Sequence, residues 1–135
     1  MAGYSGTPLA KKLGIKDTHA VGLINEPDGF RASLEPLPPD VKLATGVRSR
    51  RDVVVAFFVA RSELEQKLAA MTKAIFPDGS IWVAWPKKAA KVPTDITEDV
   101  VRAVALPTGL VDNKVCAIDD TWSGLRLVVR LKNRG

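Results

Sequence analysis

The stretch Val53-Val54-Val55-Ala56-Phe57-Phe58-Val59-Ala60 decides the fold of this chain. It is a continuous apolar run rich in β-branched and aromatic side chains. Such runs, as opposed to alternating ones, are typical of strands that helices cover on both faces. We therefore predict that it forms the centre of an α/β sheet. As the longest apolar run of the chain, it is far short of the roughly 20 residues that cross a bilayer, so we expect no membrane association.

Helical spacing and a second buried strand follow this run. Apolar side chains over residues 64–75 recur at helical intervals, and Ser62 with Glu65 predicts a capping box at the start of that helix. The turn Pro-Asp-Gly at 77–79 ends the helix, and residues 81–85 are again continuously apolar. This order is typical of a strand–helix–strand unit.

The remaining segments predict two early strands, a later helix and a hairpin. Strands are predicted at 20–24 and 41–45, a helix begins near Asp95, and the alternating apolar and polar residues of 111–131 indicate an antiparallel hairpin. Only about seven residues, 46–52, follow the strand at 41–45, which is too few for a crossover helix. That strand is therefore either antiparallel or joined to the next one by a bare, stretched loop.

Together these elements predict a three-layer α/β fold. Its sheet is mainly parallel, has about five to six strands and ends in an antiparallel hairpin. The length of 135 residues fits one α/β domain over residues 1–135. Residues 1–14 form an N-terminal arm with a short helix, and Leu9 and Leu13, which share a helix face, predict that the arm packs on the body.

Composition narrows the classes of function. A single cysteine, Cys116, provides no internal disulfide, and a single histidine, His19, leaves few metal ligands, so we predict no metal and no cofactor. The N-terminus shows no secretory signal, and cytoplasmic is the expected location. The net charge of +5 is compatible with an anionic partner. The basic residues are scattered, however, and the alternative is a solvated surface that favours solubility.

The end of the predicted strand 81–85 is the best candidate for a binding site, because ligands of α/β proteins gather where buried strands end and loops lead into helices. The predicted ligand-binding residues are Asn25, Trp85, Lys87, Lys88, Trp122, Ser123 and Arg126. The lysines and Arg126 would supply charge for an anion, the two tryptophans would form walls, and Asn25 would close the floor. Ser123 and its neighbours would join if the hairpin folds over this edge. The alternative is that the tryptophans are core aromatics and the lysines ordinary loop charges, and Asp95 places a carboxylate where an anion would sit.

No catalytic residue is predicted. His19 has no serine or cysteine nucleophile near it in sequence, Cys116 falls inside a predicted strand, and Asp119 with Asp120 suits a turn. The chain contains no Walker loop, zinc pattern or nucleophile elbow. Nucleic-acid binding through arginines at 48, 50 and 51 is a minor alternative, since no nucleic-acid-binding motif accompanies them. The edge strand of the hairpin makes a homodimer a further partner prediction.

From residue 52 onward, the order of elements resembles the second half of a class I methyltransferase-like Rossmann domain. There a central strand is followed by a helix, a Pro-Asp-Gly turn, a strand, a helix and a terminal hairpin. The resemblance covers roughly the last 80 residues and implies a truncated methyltransferase-like Rossmann sheet. The first half departs from it, since those enzymes carry a glycine-rich turn after the first strand. Here residues 24–29 read Ile-Asn-Glu-Pro-Asp-Gly, and one strand–helix unit is missing.

Over nearly its full length the chain resembles a bacterial family known as domain of unknown function 3052. The passages that carry the resemblance are Tyr4–Gly14, Pro27–Phe30, Trp82–Lys88, Thr97–Val100 and Thr121–Arg126. This resemblance implies a bacterial protein and no particular activity. We therefore expect a non-catalytic binding or regulatory domain for an anionic small molecule or a protein partner. The alternative is a pared-down S-adenosylmethionine-dependent methyltransferase, or a partner subunit of one.

Overall fold

A mixed β-sheet organises residues 7–135, which are the residues that the computed structural model describes. Its six strands are β1 (Ala20–Ile24), β2 (Lys42–Thr45), β3 (Val53–Phe57), β4 (Ser80–Pro86), β5 (Leu110–Ala117) and β6 (Trp122–Val129). They lie in the order β2-β1-β3-β4-β6-β5. The first four strands are parallel, and β6 runs antiparallel to both β4 and β5. The predicted α/β class, with its mainly parallel sheet and terminal hairpin, is confirmed.

Helices cover both faces of the sheet. They are α1 (Leu9–Lys12), α2 (Phe30–Ser33), α3 (Arg61–Ile75) and α4 (Glu98–Ala105). One apolar cluster joins α1 and α2 to the sheet, and a second joins α3 and α4 to its other face. Every residue of β3 is buried, as a strand between two helical layers requires. Among residues 7–135, no helix has the length and apolar character needed to span a membrane.

The direction of β2 was the open question of the topology. Strand β2 is parallel to β1, so the connection from β2 to β3 is the bare, stretched loop 46–52. This loop crosses β1, which lies between the two strands it joins. It passes over Gly22, where a Cβ atom would stand 2.6 Å from the carbonyl oxygen of Gly46. The absence of a side chain at Gly22 therefore gives the loop room to lie on the sheet.

A distant carboxylate, rather than the predicted capping box, caps α3. The helix begins at Arg61, one residue before Ser62, and its N-cap residue makes no side-chain hydrogen bond. Instead, Oδ1 of Asp95 accepts a hydrogen bond of 2.7 Å from the backbone N–H of Arg61. The predicted helix start near Asp95 is wrong. Asp95 caps α3 instead, and α4 begins at Glu98 with the side chain of Thr97 as its cap.

The N-terminal arm packs on the sheet, as the spacing of Leu9 and Leu13 predicts. Leu13 is fully buried, and its carbonyl oxygen accepts a hydrogen bond of 2.9 Å from the indole N–H of Trp82 in β4. This bond fixes the end of α1 against the middle of the sheet. The part of the predicted arm at residues 1–6 lies outside the described residues.

Candidate ligand-binding edge

The carboxyl edge of the parallel strands is the place where this fold offers a crevice. We define it by the residues that follow β1, β3 and β4, which are Asn25, Phe58 and Lys87. The chain leaves β1 toward β2 on one side and leaves β3 toward β4 on the other. Such a switch in direction is where open α/β sheets bind ligands. The crevice at this switch in direction lies between Asn25 and the end of β3.

Asn25 bridges that crevice. Its backbone adopts the left-handed conformation (φ 56°), which asparagine tolerates better than most residues. Its side-chain Nδ2 donates to the carbonyl oxygen of Phe57 at 3.1 Å and to Oε2 of Glu63 at 3.0 Å. The amide thus links the end of β1 to the end of β3 and the first turn of α3. Asn25, which we predict to close the floor of the site, lies at the edge. Both hydrogens of its side-chain amide are donated to other residues of the chain.

A second bridge joins the turn after β1 to the end of β2. Arg31 in α2 donates from Nε to Oε2 of Glu26 at 2.9 Å and from Nη2 to Oγ1 of Thr45 at 3.0 Å. Residues 26–29, Arg31 and Ala32 line a depression of about 440 Å³ beside it. Arg31 therefore lies across the surface of β1 and β2 where a ligand at the switch point would extend.

An aromatic row supports the edge from the face covered by α1 and α2. The rings of Phe30 and Phe57 meet edge to face at 4.9 Å, and those of Phe57 and Trp122 do so at 5.0 Å. Phe30 and Phe57 are buried, whereas Trp122 is half-buried. The exposed part of Trp122 is therefore the end of a rigid row of rings, and it starts β6 next to the end of β4.

Lys87 and Lys88 follow the end of β4, next to the start of β6. The backbone N–H of Lys87 donates to the carbonyl oxygen of Thr121 at 2.7 Å, which ties the exit of β4 to the start of β6. Lys88 is exposed and begins a short 3₁₀ helix, Lys88–Ala90. No ion pair joins either lysine to a carboxylate of residues 7–135. Their positive charge is therefore not neutralised by a neighbouring residue in this part of the chain.

Trp85, Ser123 and Arg126 do not join the other predicted residues at the edge. Trp85 is buried against the α3 and α4 layer, and Ser123 lies directly opposite it on β6. Arg126 pairs with Trp82, four residues before the end of β4, which is about 13 Å along the strand. Burial without a compensating carboxylate lowers the pKa of the Arg126 guanidinium. Of the seven predicted residues, Asn25, Lys87, Lys88 and Trp122 share the edge; whether they bind a ligand stays a prediction.

The helix N-termini that face this edge are already capped. Asp95 occupies the N-terminus of α3, and Thr97 accepts from the N–H of Val100 at the start of α4. Helix N-termini attract anions because their first N–H groups lack partners. A carboxylate caps α3 and a hydroxyl caps α4. An anion at this edge would therefore be bound by the lysines rather than by the helix N-termini.

Sequence patterns alone missed Arg31, Glu63 and Thr45. Glu26 suggests a polar contact from its position in the turn, but its partner Arg31 lies five residues on, which is not a spacing that indicates a pair. Glu63 is 38 residues from Asn25. No local signal connects residues that only the sheet brings together.

The other candidate groups are engaged in structural roles. Nδ1 of His19 accepts from the N–H of Lys16, and Oδ1 of Asp119 accepts from the N–H groups of Thr121 and Trp122 in the hairpin turn. Burial raises the pKa of the half-buried Cys116 thiol, which disfavours its reactive thiolate. Across the described residues, no three His, Cys, Asp or Glu side chains are placed to hold a metal ion.

The arginines at 48–51 are mostly committed to the crossover loop. Arg50 pairs with Asp78 at 2.6 Å, and Arg51 donates from Nε to the carbonyl oxygen of Gly46 at 3.2 Å. The first bond fastens the loop to the turn before β4, and the second lies within the loop itself. A groove of about 810 Å³ lies elsewhere, between α3 and α4, with exposed Phe76 in its wall.

Comparison with known proteins identifies the fold. No family model and no curated protein matches the chain, so the resemblance to domain-of-unknown-function family 3052 stays a prediction. Solved structures do match. A SAM-dependent methyltransferase from Aquifex aeolicus superposes with a TM-score of 0.62 at 12% identity, over 90% of this chain and 88% of that one.

Two further structures have similar scores. A possible exported protein from Bordetella parapertussis gives a TM-score of 0.65 at 10% identity, over 90% of this chain and 66% of its own. A magnesium protoporphyrin IX methyltransferase from Synechocystis PCC 6803, solved with bound SAM, gives 0.60 at 9% identity, over 90% and 74% of the two chains. At such identities the likeness extends to the fold alone. This chain therefore has a methyltransferase-like Rossmann fold.

Proposed function

We propose that this protein is a non-catalytic, methyltransferase-fold binding module that does not hold S-adenosylmethionine. The observation that carries the proposal is the bridging of the switch-point crevice by Asn25 and Arg31. In Rossmann-type sites, a glycine-rich turn after the first strand lets the backbone approach the cofactor. Here Asn25 donates to the carbonyl oxygen of Phe57 and to Glu63 across the same gap, and Arg31 spans the next strand with Glu26 and Thr45.

The proposed ligand is an anionic small molecule or an acidic group of a partner, bound beside β4. Lys87 and Lys88 supply positive charge without a carboxylate neighbour among residues 7–135, and the half-buried Trp122 provides a flat apolar wall next to them. A planar anion could stack on the indole while the lysine ammonium groups contact its charge. Arg126 lies too far along the sheet to take part.

The second candidate is a pared-down methyltransferase, which the comparisons favour through a neighbour solved with bound SAM. It would require the Asn25 and Arg31 bridges to open so that the cofactor enters. Because both bridges are at the surface, each contributes little to stability and opening is energetically accessible. The two candidates therefore differ in a measurable way, namely in affinity for the cofactor.

Isothermal titration calorimetry with S-adenosylmethionine and S-adenosylhomocysteine tests the non-catalytic role. We expect no heat of binding with the unchanged protein. Binding of either compound, strengthened in Asn25→Ala or Arg31→Ala because the bridge is then already open, would favour the methyltransferase alternative and overturn the proposal.

A panel of anions, including nucleotides, polyphosphate and citrate, tests the lysine edge at constant ionic strength. The Lys87→Ala/Lys88→Ala double variant should lose the binding that the unchanged protein shows. The matched control is Lys42→Ala/Lys67→Ala, which removes the same charge at exposed positions away from this edge. Equal loss in both double variants would show that only net charge matters, and no binding to any anion would refute an anionic small-molecule ligand.

A further inference from the structure

A second group of cations lies on the opposite side of the sheet from α3 and α4. Arg126 of β6 and Lys114 of β5 stand directly opposite one another. Arg126 also lies opposite Trp82, whose side chain belongs to the cluster under α1 and α2. Directly paired residues of neighbouring strands point to the same face, so both cations lie on the α1 side.

This pairing of like charges is unfavourable by itself. Like charges directly opposite in an antiparallel sheet destabilise it, and here one of the two is also withdrawn from water. Arg126 is half-buried and makes no hydrogen bond or ion pair with any residue from 7 to 135. Burial lowers the pKa of its guanidinium, and no ion pair joins it to a carboxylate of residues 7–135.

Lys12 brings a third cation to the same face. Its Nζ donates to the carbonyl oxygen of Ala117 in β5 at 3.0 Å. Both Lys12 and Lys114 act electrostatically on the thiol of Cys116, which is two residues from Lys114 on the same side of β5. Lys12 therefore lies next to Cys116 where α1 meets the hairpin, on the face that also carries Arg126 and Lys114.

We propose that Arg126, Lys114 and Lys12 form a binding site for a phosphate group, separate from the edge at Lys87 and Lys88. A guanidinium can grip two phosphate oxygens with parallel N–H bonds, and the lysines add point charges. A dianion between Arg126 and Lys114 converts their repulsion into two attractions. The phosphate is either inorganic phosphate or a phosphate monoester carried by a larger molecule, since both present the same oxygens.

The test compares thermal unfolding in phosphate and in chloride at equal ionic strength. Inorganic phosphate well above its dissociation constant should raise the Tm of the unchanged protein by about 5 °C. Arg126→Met, which keeps an apolar stem, should abolish this rise and should unfold no earlier than the unchanged protein in chloride, because a repulsion is removed. Arg130→Met, at an exposed position of the same chain segment, should keep the full rise.

Lys114→Gln provides an independent variant, expected to reduce the rise without abolishing it. Phosphoserine tested beside inorganic phosphate separates the two sources, because a site open to a monoester gives a rise with both. An equal rise in the unchanged protein, Arg126→Met and Lys114→Gln would reflect the general effect of phosphate on protein surfaces and would overturn the site. No rise in the unchanged protein would overturn it as well. Neither of these two results would affect the separate proposal that Lys87 and Lys88 bind an anion.

Discussion

The carbonyl oxygen of Gly46 lies 2.6 Å from the position that a Cβ atom would take at Gly22. This close approach lets loop 46–52 cross the face of β1 without a helix. The N–H of Gly46 donates to the carbonyl oxygen of Leu23 at 2.8 Å, and the N–H of Asp52 to that of Ala20 at 2.8 Å, so the loop is bonded to the strand at both ends of its crossing. The fold thus keeps its parallel order with a shortened connection.

Gly22→Ala should destabilise the protein by about 3 kcal/mol, because the nearest atom to the new methyl group would be the backbone carbonyl oxygen of Gly46, which cannot turn aside as a side chain can. Urea unfolding measures the change. Gly14→Ala is the matched control: no atom of residues 7–135 lies within 4 Å of its Cβ position, and the left-handed backbone (φ 78°) is what opposes the substitution. Its expected cost is about 1–2 kcal/mol. A loss at Gly22 no larger than that at Gly14 would contradict the close crossing.

Trp82→Phe should detach the N-terminal arm and lower stability by about 3 kcal/mol. The substitution leaves the Leu13 carbonyl oxygen buried without its donor and opens a cavity beside it. Hydrogen exchange supplies a local readout, because the N–H of Ile15 donates to the carbonyl oxygen of Ala10 at the end of the arm and should exchange faster. Trp122→Phe, at a half-buried ring with no indole hydrogen bond to residues 7–135, should leave that amide protected.

Asp112→Asn should remove part of the acid dependence of stability. Arg102 donates from Nε to Oδ2 of Asp112 at 2.9 Å, and this hydrogen bond lowers the pKa of the Asp112 carboxyl. A lowered folded-state pKa stabilises the protein above the unfolded value of about 3.9, and the contribution disappears as the pH falls through the folded value. Thermal unfolding from pH 7 to pH 2 should therefore show a lower Tm for the variant at neutral pH and a closing gap in acid.

Asp99→Asn is the control for this pair. Its side chain is 97% exposed and stands 3.7 Å from Arg102, so its loss should leave the Tm profile unchanged. A gap between Asp112→Asn and the unchanged protein that persists at pH 2 would mean that packing, and not the charge, accounts for the difference.

The local sequence predicts most of the sheet and half of the site. The apolar run from Val53 marks the central strand because burial on both faces requires every side chain to be apolar, and alternation marks the hairpin because one of its faces is partly wet. The sequence places Lys87 at a strand exit and predicts that Trp122 joins it only if the hairpin folds over that edge. These features depend on periodicity, which a short window of sequence contains.

Asn25 and Arg126 show what the sequence could not decide. The bridge from Asn25 to Glu63 spans 38 residues, and the cap from Asp95 to Arg61 spans 34. Arg126 lies on the α1 face beside Trp82 because of the register between β4 and β6.

The sequence by itself determined the fold class and the position of the central strand, since the pattern of apolar residues follows directly from which faces are buried. Only the tertiary structure decided the direction of β2, the closing of the switch-point crevice and the separation of the cations at Lys87 and Arg126. Those features depend on strand register and on contacts between residues distant in sequence, which leave no local pattern because either partner alone is compatible with many folds.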